Sequence, residues 1–450
     1  MKHLCIIGLL ISFLCADEIR IHLITTNDLH GAIAPQKAHF MNPHHPPQLA
    51  GWAAYYKYVQ ELKHEAEILN EGLLTLDGGN FFQGHPVGLV DGGKSIIEWM
   101  NLIRYDALVP GRYDLILGKD NLVELAELAE FPFLASNLNN TIAPIKPYTI
   151  QDIMGVKIGV LGIMQSNLME HVLDKNLNGF NTTREYTALE KWIPELKKDG
   201  AEVIIVLAST GVPWDREEVY EQFVDTVDIF NPYENSLNSL QLAYYSDGVD
   251  LIVSGGESKG YRKPWYDPKS HVYVFQNYGN GTEFGHIVLK IDRETHLFKG
   301  YETVVSGRTS QSLLMDDFDV DLDAYTLISD LNSRAVNLIY SVNRQIPLFN
   351  VKHHLPIQNF YTIPSIQKQD ELEVITWNCE FFPKADEETI LALAEAVYDL
   401  DADIIGFQEI RRRGWFDNLM SYLPDYGYLI AQQSSFMDNA IIYKLDRITL

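Results

Sequence analysis

The chain has 450 residues, 46% of them hydrophobic and 11% aromatic, with 61 acidic against 35 basic side chains and a formal net charge of −26. Such a length exceeds one ordinary core, so two domains are expected, and the composition is that of a globular protein. The acidic excess disfavours nucleic-acid backbone and anionic membrane surfaces as partners.

Residues 1–16 read as a secretory signal, with Lys2 as a positive start, an apolar run over 4–14 and Ala16 at the cleavage point. The run is too short to span a bilayer. Leu14 before Cys15 argues against a lipid anchor, so a secreted or periplasmic protein without a membrane anchor is expected; a buried first strand or helix is the alternative. Removal of the signal leaves only Cys379, and hence no internal disulfide.

From 17 onward strand-like and helix-like runs alternate. Residues 19–26 form an apolar strand, and 50–69 carry helical spacing through Trp52, Tyr55, Tyr56, Val59, Leu62 and Ala66. Pro43, Pro46 and Pro47 make the segment between them a loop. Strands follow at 73–76, 107–109, 156–163, 203–208, 250–254, 272–276 and 285–291, with helices at 95–102 and 121–129. The alternation predicts an α/β layered core whose ligands gather at strand ends. Residues 215–246 look like an acidic, aromatic insertion of unassigned shape. The acidic run Asp316, Asp317, Asp319, Asp321 and Asp323 lacks the central glycine of a calcium loop and reads as a solvated strand leading into a helix over 324–339. Pro347, Pro356 and Pro364 mark 340–370 as a linker. Strands are expected again at 372–380, 402–410 and 439–444, with a helix at 387–400.

The first strand ends on Asp28-Leu29-His30-Gly31, which offers an oxygen and a nitrogen to one divalent cation. Residues 24–31 resemble the first motif of the calcineurin-like metallophosphoesterases in their 5'-nucleotidase branch, and the resemblance extends over about 19–323. It implies two metals sharing a bridging carboxylate, completed by histidines and an asparagine, with Asp28 and His30 as the first pair. Residues 74–84 keep the glycines and the Phe82-Gln83-Gly84 end of the second motif, but Asn80 stands where the bridging Asp belongs. A neutral amide cannot offset the repulsion of two dications. In the third motif Gly111 is kept, with Arg112 in place of the metal-binding Asn and Tyr113 in place of the catalytic His. Ser209 replaces the histidine of the fourth motif, and Ser254-Gly255-Gly256-Glu257-Ser258 has none of the histidines of the fifth.

The resemblance thus implies a scaffold with most of its metal chemistry removed. Asp28, His30 and Asn80 are expected to hold one Mn, Zn or Mg weakly, with Glu257 or Asp77 adding an oxygen, or no metal at all. Arg112 puts a guanidinium where a metal would sit and is expected either to bind phosphate bidentately or to fill the space and pair with Asp28 or Asp114. Nothing after Asp323 resembles the nucleobase-binding domain of 5'-nucleotidases.

The strand ending on Asn378, the helix after it and the strand carrying Gln408-Glu409 resemble the opening half of the endonuclease/exonuclease/phosphatase family, the DNase-I-like fold. There the resemblance implies Asn378 positioning phosphate and metal, and Glu409 binding magnesium through a hard oxygen. The family's later Asp, Asp-x-Asn and Asp-His do not occur before Leu450, so a longer parent chain is expected. Arg411-Arg412-Arg413 could meet phosphate at that mouth.

The expected fold class is α/β: a layered metallophosphoesterase β-sandwich flanked by helices, plus an incomplete second α/β sandwich. The expected division is a signal at 1–16, the metallophosphoesterase-like domain at 17–323, a helix and linker at 324–370 and the partial second domain at 371–450. Three functions follow: an exported 5'-nucleotidase-like phosphoester hydrolase with an impaired metal centre, a non-catalytic module taking a phosphorylated small molecule at Arg112, or catalysis by the second domain of a longer parent. The oligomeric state is unassigned.

Overall fold

Strand β1 (Glu18–Thr26) lies antiparallel to one neighbour and parallel to another, and every side chain from Ile21 to Thr26 is buried, as befits a strand covered on both faces. The computed structural model describes residues 18–38, 41, 45–345, 365–366, 370–382, 387–410, 413–431 and 438–449; the signal and most of the linker expected from the sequence lie outside them. After β1 come the short strands β2 (Gln36–Lys37) and β3 (Gln48–Leu49), helix α1 (Trp52–Leu69) and strand β4 (Gly72–Asp77). Helices α2 (Pro86–Val90) and α3 (Lys94–Ile103) lead to β5 (Ala107–Leu108), and α4 (Lys119–Leu128) leads to β6 (Tyr148–Ile153) and β7 (Val156–Met164). Helices α5 (Asp174–Leu177) and α6 (Glu185–Lys198) precede β8 (Val203–Ser209). The acidic insertion resolves into α7 (Arg216–Thr226) and α8 (Ser239–Tyr244), which connect β8 to β9 (Leu251–Ser254). Strands β10 (Trp265–Tyr266), β11 (Tyr273–Phe275), β12 (Glu283–Asp292), β13 (Phe298–Thr303) and β14 (Ser310–Ser312) follow.

The chain divides into two compact units, the first being Met1–Ile33, Gly51–Leu313 and Val320–Ala324. Its strands make two six-stranded sheets. One is mixed, in the order β13-β12-β1-β4-β5 with β14 beside β12, and the other runs β10-β11-β9-β8-β7-β6. In the second sheet β7, β8, β9 and β11 are parallel, and Leu161, Val206 and Ile252 pack against Leu189 and Leu196 of α6 and Leu240 of α8. Parallel strands all end on the same edge, so the loops after β1, β4, β5, β8 and β9 can share one cleft. A buried polar chain joins α1 to the first sheet: Glu71 Oε2 is 2.6 Å from His22 Nε2, His22 Nδ1 is 2.8 Å from His286 Nε2, and His286 Nδ1 is 2.7 Å from the Tyr58 hydroxyl.

The other unit comprises Ala34–Ala50, Leu314–Asp319 and Tyr325–Leu450. Helix α9 (Leu322–Gln345) is longer than expected: 340–345 are helical rather than linker. The aspartate-rich segment before α9 is turn and loop, not strand. Asp321 Oδ1 accepts the Ala324 N–H at 2.8 Å, so a helix cap outweighs extended pairing there. Beyond it, β15 (Val374–Phe382), α10 (Glu387–Leu400), β16 (Ile404–Ile410), α11 (Arg413–Ser421), β17 (Tyr426–Ile430) and β18 (Asp438–Lys444) form one sheet ordered β15-β16-β18-β17. Ile405, Phe407 and Ile442 pack on Ala394 and Val397 of α10 and Phe416 and Leu419 of α11. On the opposite face Val374, Leu429 and Ile441 are exposed.

Candidate functional site

Asp28, His30 and Asn80, the three candidate ligands of the first site, all have left-handed backbone, with φ of 47°, 53° and 56°. Few non-glycine residues adopt that conformation, Asn, Asp and His more readily than the rest, and left-handed residues concentrate at functional loops. Hydrogen bonds from Asp28 N to Gly79 O (2.8 Å) and from His30 N to Asn80 O (2.9 Å) lay the loop after β1 along the loop after β4. The structure therefore brings the three together.

There each of them is engaged in hydrogen bonds. Asp28 is 1% exposed, and its carboxylate accepts the Asn80 Nδ2 amide at 2.7 Å, the Asn27 Nδ2 amide at 2.9 Å and the Gly256 N–H at 3.0 Å. The orientation of Asn80 is fixed by its partners, because its Oδ1 accepts the Tyr113 N–H at 3.0 Å. The flipped amide would set oxygen against carboxylate and N–H against N–H. Gly256 can reach Asp28 because its φ is 104°, and a Cβ there would stand 2.7 Å from Ser209 O. His30 Nδ1 faces Gln83, 2.9 Å from its amide nitrogen and 3.1 Å from its carbonyl oxygen, and Nε2 is 3.4 Å from Ser258 Oγ.

Two further carboxylates lie buried close by. Asp114 accepts the N–H groups of Asn80 (2.7 Å), Gly111 (2.8 Å) and Phe81 (2.9 Å); burial pushes its pKa up to about 7 against the pull of those three donors. Asp77 accepts the Thr26 hydroxyl at 2.6 Å and the Gly79 N–H at 2.8 Å, and burial holds it well above the usual carboxylate range. Asp77 is thus engaged elsewhere rather than offering a free oxygen. Ser209 turns away, donating to Pro110 O at 2.9 Å.

Arg112 pairs with neither Asp28 nor Asp114, both of which are taken up by N–H donors. Its Nη1 donates to Gln165 Oε1 at 2.9 Å, its Nη2 is 3.7 Å from Glu257 Oε1, and the guanidinium lies 5.0 Å from the Tyr113 ring centre. Nε is buried without a hydrogen-bond partner. Glu257 is raised above its usual range by burial, while Arg112 and, more weakly, Trp214 draw it back down. Gln165 and Trp214 were not foreseen, because each comes from a loop with no local motif of its own.

A binuclear centre does not fit these residues. The lone pairs of Asp28 that would face cations face N–H groups, Asn80 presents a nitrogen, and among the described residues no group of three or more His, Cys, Asp or Glu side chains is placed to hold a metal ion. In the second unit Asn378 and Glu409 do meet, with Asn378 Nδ2 2.9 Å from Glu409 Oε1, and Glu409 is again left-handed at φ 62°. The Cys379 thiol beside them is pushed up to about 12, by burial first and the Glu409 charge second. Arg411 and Arg412 lie outside the described residues, as does the side chain of Arg413.

No protein-family model matches the chain. It is 26% identical over 264 residues to the trifunctional nucleotide phosphoesterase protein YfkN of Bacillus subtilis, covering 53% of this chain and 17% of that one. It is 27% identical over 217 residues to the 2',3'-cyclic-nucleotide 2'-phosphodiesterase/3'-nucleotidase of Haemophilus influenzae, covering 43% and 32%. With protein UshA of Yersinia enterocolitica the identity is 30% over 146 residues, covering 32% and 25%. The chain spans a third or less of the length of these relatives. Among solved structures, the 5'-nucleotidase precursor of Thermus thermophilus superposes with a TM-score of 0.54 at 18% identity, over 73% of this chain and 60% of that one. The sulfate thiohydrolase SoxB of Thermus thermophilus gives 0.59 at 13% identity, over 91% and 76%. At those identities the likeness is one of fold. Sheet order, cleft position and these likenesses agree that the chain has the calcineurin-like metallophosphoesterase fold in its 5'-nucleotidase-like form, with a largely degenerate metal site.

Proposed function

We propose that the first unit is a phosphate-binding cleft on a phosphoester-hydrolase scaffold, with hydrolysis lost or reduced to a trace. The observation that carries this is the filling of the Asp28 carboxylate by three N–H donors, in a cleft where Arg112 supplies a guanidinium. With Tyr113 standing where the resemblance implies a catalytic imidazole, the cleft lacks that general base. Arg112 retains what binding requires, a guanidinium that matches phosphate geometry. The nucleotide phosphoesterase names of the relatives support a phosphorylated small molecule as ligand. A secreted or periplasmic location rests on the apolar run after Lys2; among the described residues no helix is long and apolar enough to cross a membrane.

The test is metal content after dialysis against manganese or zinc, together with turnover of p-nitrophenyl phosphate and its bis ester. Less than one ion per chain and no turnover are expected. Two ions per chain with turnover abolished by Asp28→Ala would return the protein to the hydrolases. A second reading is favoured by the Asn378–Glu409 contact: a magnesium-binding pair belonging to a partial DNase-I-like domain at 371–450. It predicts weak magnesium binding lost in Glu409→Ala, and equal binding by that variant ends it.

A further inference from the structure

We propose that Glu257 is an intramolecular competitor for the anion-binding edge of Arg112, so that the cleft takes a terminal phosphate group only by displacing the Glu257 carboxylate. This rests on the reading of Arg112 as the phosphate-binding group.

The guanidinium fork has two edges. Nη1 is committed to Gln165 at 2.9 Å. Nε and Nη2 share the other edge, the one that receives an oxyanion side-on through two parallel hydrogen bonds. Here Nε is buried with no partner and Nη2 has only Glu257 at 3.7 Å, an ion pair too long to be a hydrogen bond. One carboxylate oxygen therefore covers an edge built for two acceptors. The seat is occupied but underfilled.

Glu257 is held there by design of the neighbouring loop. Gly211 has φ 76°, and a Cβ on it would stand 2.6 Å from Glu257 Cγ, so the loop after β8 leaves room for the side chain to lie across it. Lys259 sits 4.3 Å from the Trp214 ring centre, a second cation near the mouth. The Glu257 side chain is 39% exposed, so it can swing to water without leaving a cavity.

A tethered carboxylate competes at high effective concentration, so a free carboxylate of equal charge gains little by replacing it. A phosphate monoester carries more charge and has oxygens for both Nε and Nη2. It can win where a carboxylate cannot.

The experiment is titration of the full chain with phenyl phosphate and with benzoate, followed by calorimetry and phosphorus NMR. Wild type should bind phenyl phosphate and show no benzoate binding at the same concentrations. Glu257→Gln should bind phenyl phosphate about tenfold more tightly, the loss of one partly exposed ion pair. Glu257→Asp separates occupancy from field: it keeps the charge but is too short to reach Arg112, so occupancy predicts tightening close to that of Glu257→Gln, and wild-type affinity in Glu257→Asp overturns the proposal. Arg112→Gln should abolish binding. If Arg112→Gln binds like wild type, or if neither wild type nor Glu257→Gln binds, the phosphate-site reading itself falls. If Arg112→Gln loses binding while both Glu257 variants match wild type, only the competitor role falls.

Discussion

At residue scale the decisive atom is Asn80 Nδ2. An aspartate there would leave two buried carboxylates facing one another, whereas the amide gives Asp28 a donor at 2.7 Å and accepts from Tyr113 with its oxygen. Asn80→Asp is expected to destabilise the metal-free protein by about 2–4 kcal/mol, the cost of an uncompensated buried charge, and to recover part of that loss in millimolar manganese. Urea melts with and without manganese check it; unchanged stability without metal would mean that the amide is not the donor. The exchange of aspartate for asparagine was visible in the sequence, as were the missing histidines. Its consequence was not, because part of the compensation comes from the main chain: Gly256 N–H carries no side-chain signature, and neither does the backbone nest around Asp114. The alternative in which Arg112 pairs with Asp28 or Asp114 is not what forms, because two side-chain amides and the Gly256 N–H already satisfy Asp28, and main-chain N–H groups satisfy Asp114.

At the scale of elements, β1, β12 and α1 are tied by the chain Glu71–His22–His286–Tyr58. Burial, and then the charge of His22, lowers the pKa of His286 from 6.5 to about 3. Folding therefore holds this imidazole neutral while the unfolded chain protonates it below 6.5. The associated stability is present above that pH and is lost as pH falls toward 3. Melting temperatures should drop over this window more steeply for wild type than for His286→Gln, which can keep a donor and an acceptor without titrating. Parallel curves for the two proteins would show that His286 does not set the acid limit. Periodicity located most strands and helices of these sheets, because burial on both faces forces near-continuous apolar runs such as Val203–Ser209. It missed the edge strands β6 and β13, whose half-exposed sequences carry no such run, and the helices of the 215–246 crossover, where acidic and aromatic residues mask the period.

For the whole molecule, the carboxylate at the centre of the cleft is satisfied by covalently attached donors. Chelation should consequently leave thermal stability unchanged: a melting temperature in EDTA within about a degree of that in manganese is the expected result, and a large drop in EDTA would reveal a bound ion contributing to the fold. The formal charge of −26 makes a cation-poor cleft costly for any anionic ligand, and Arg112 and Lys259 are what offset it locally. The second unit was readable as strand–helix–strand because its apolar periods are strong.

The Gly256 amide that grips Asp28 belongs to the peptide backbone, and a peptide bond is neither scavenged nor titrated away. A cleft shaped by such amides should keep its form under manganese or zinc starvation, where a cleft built on metal ions would lose it.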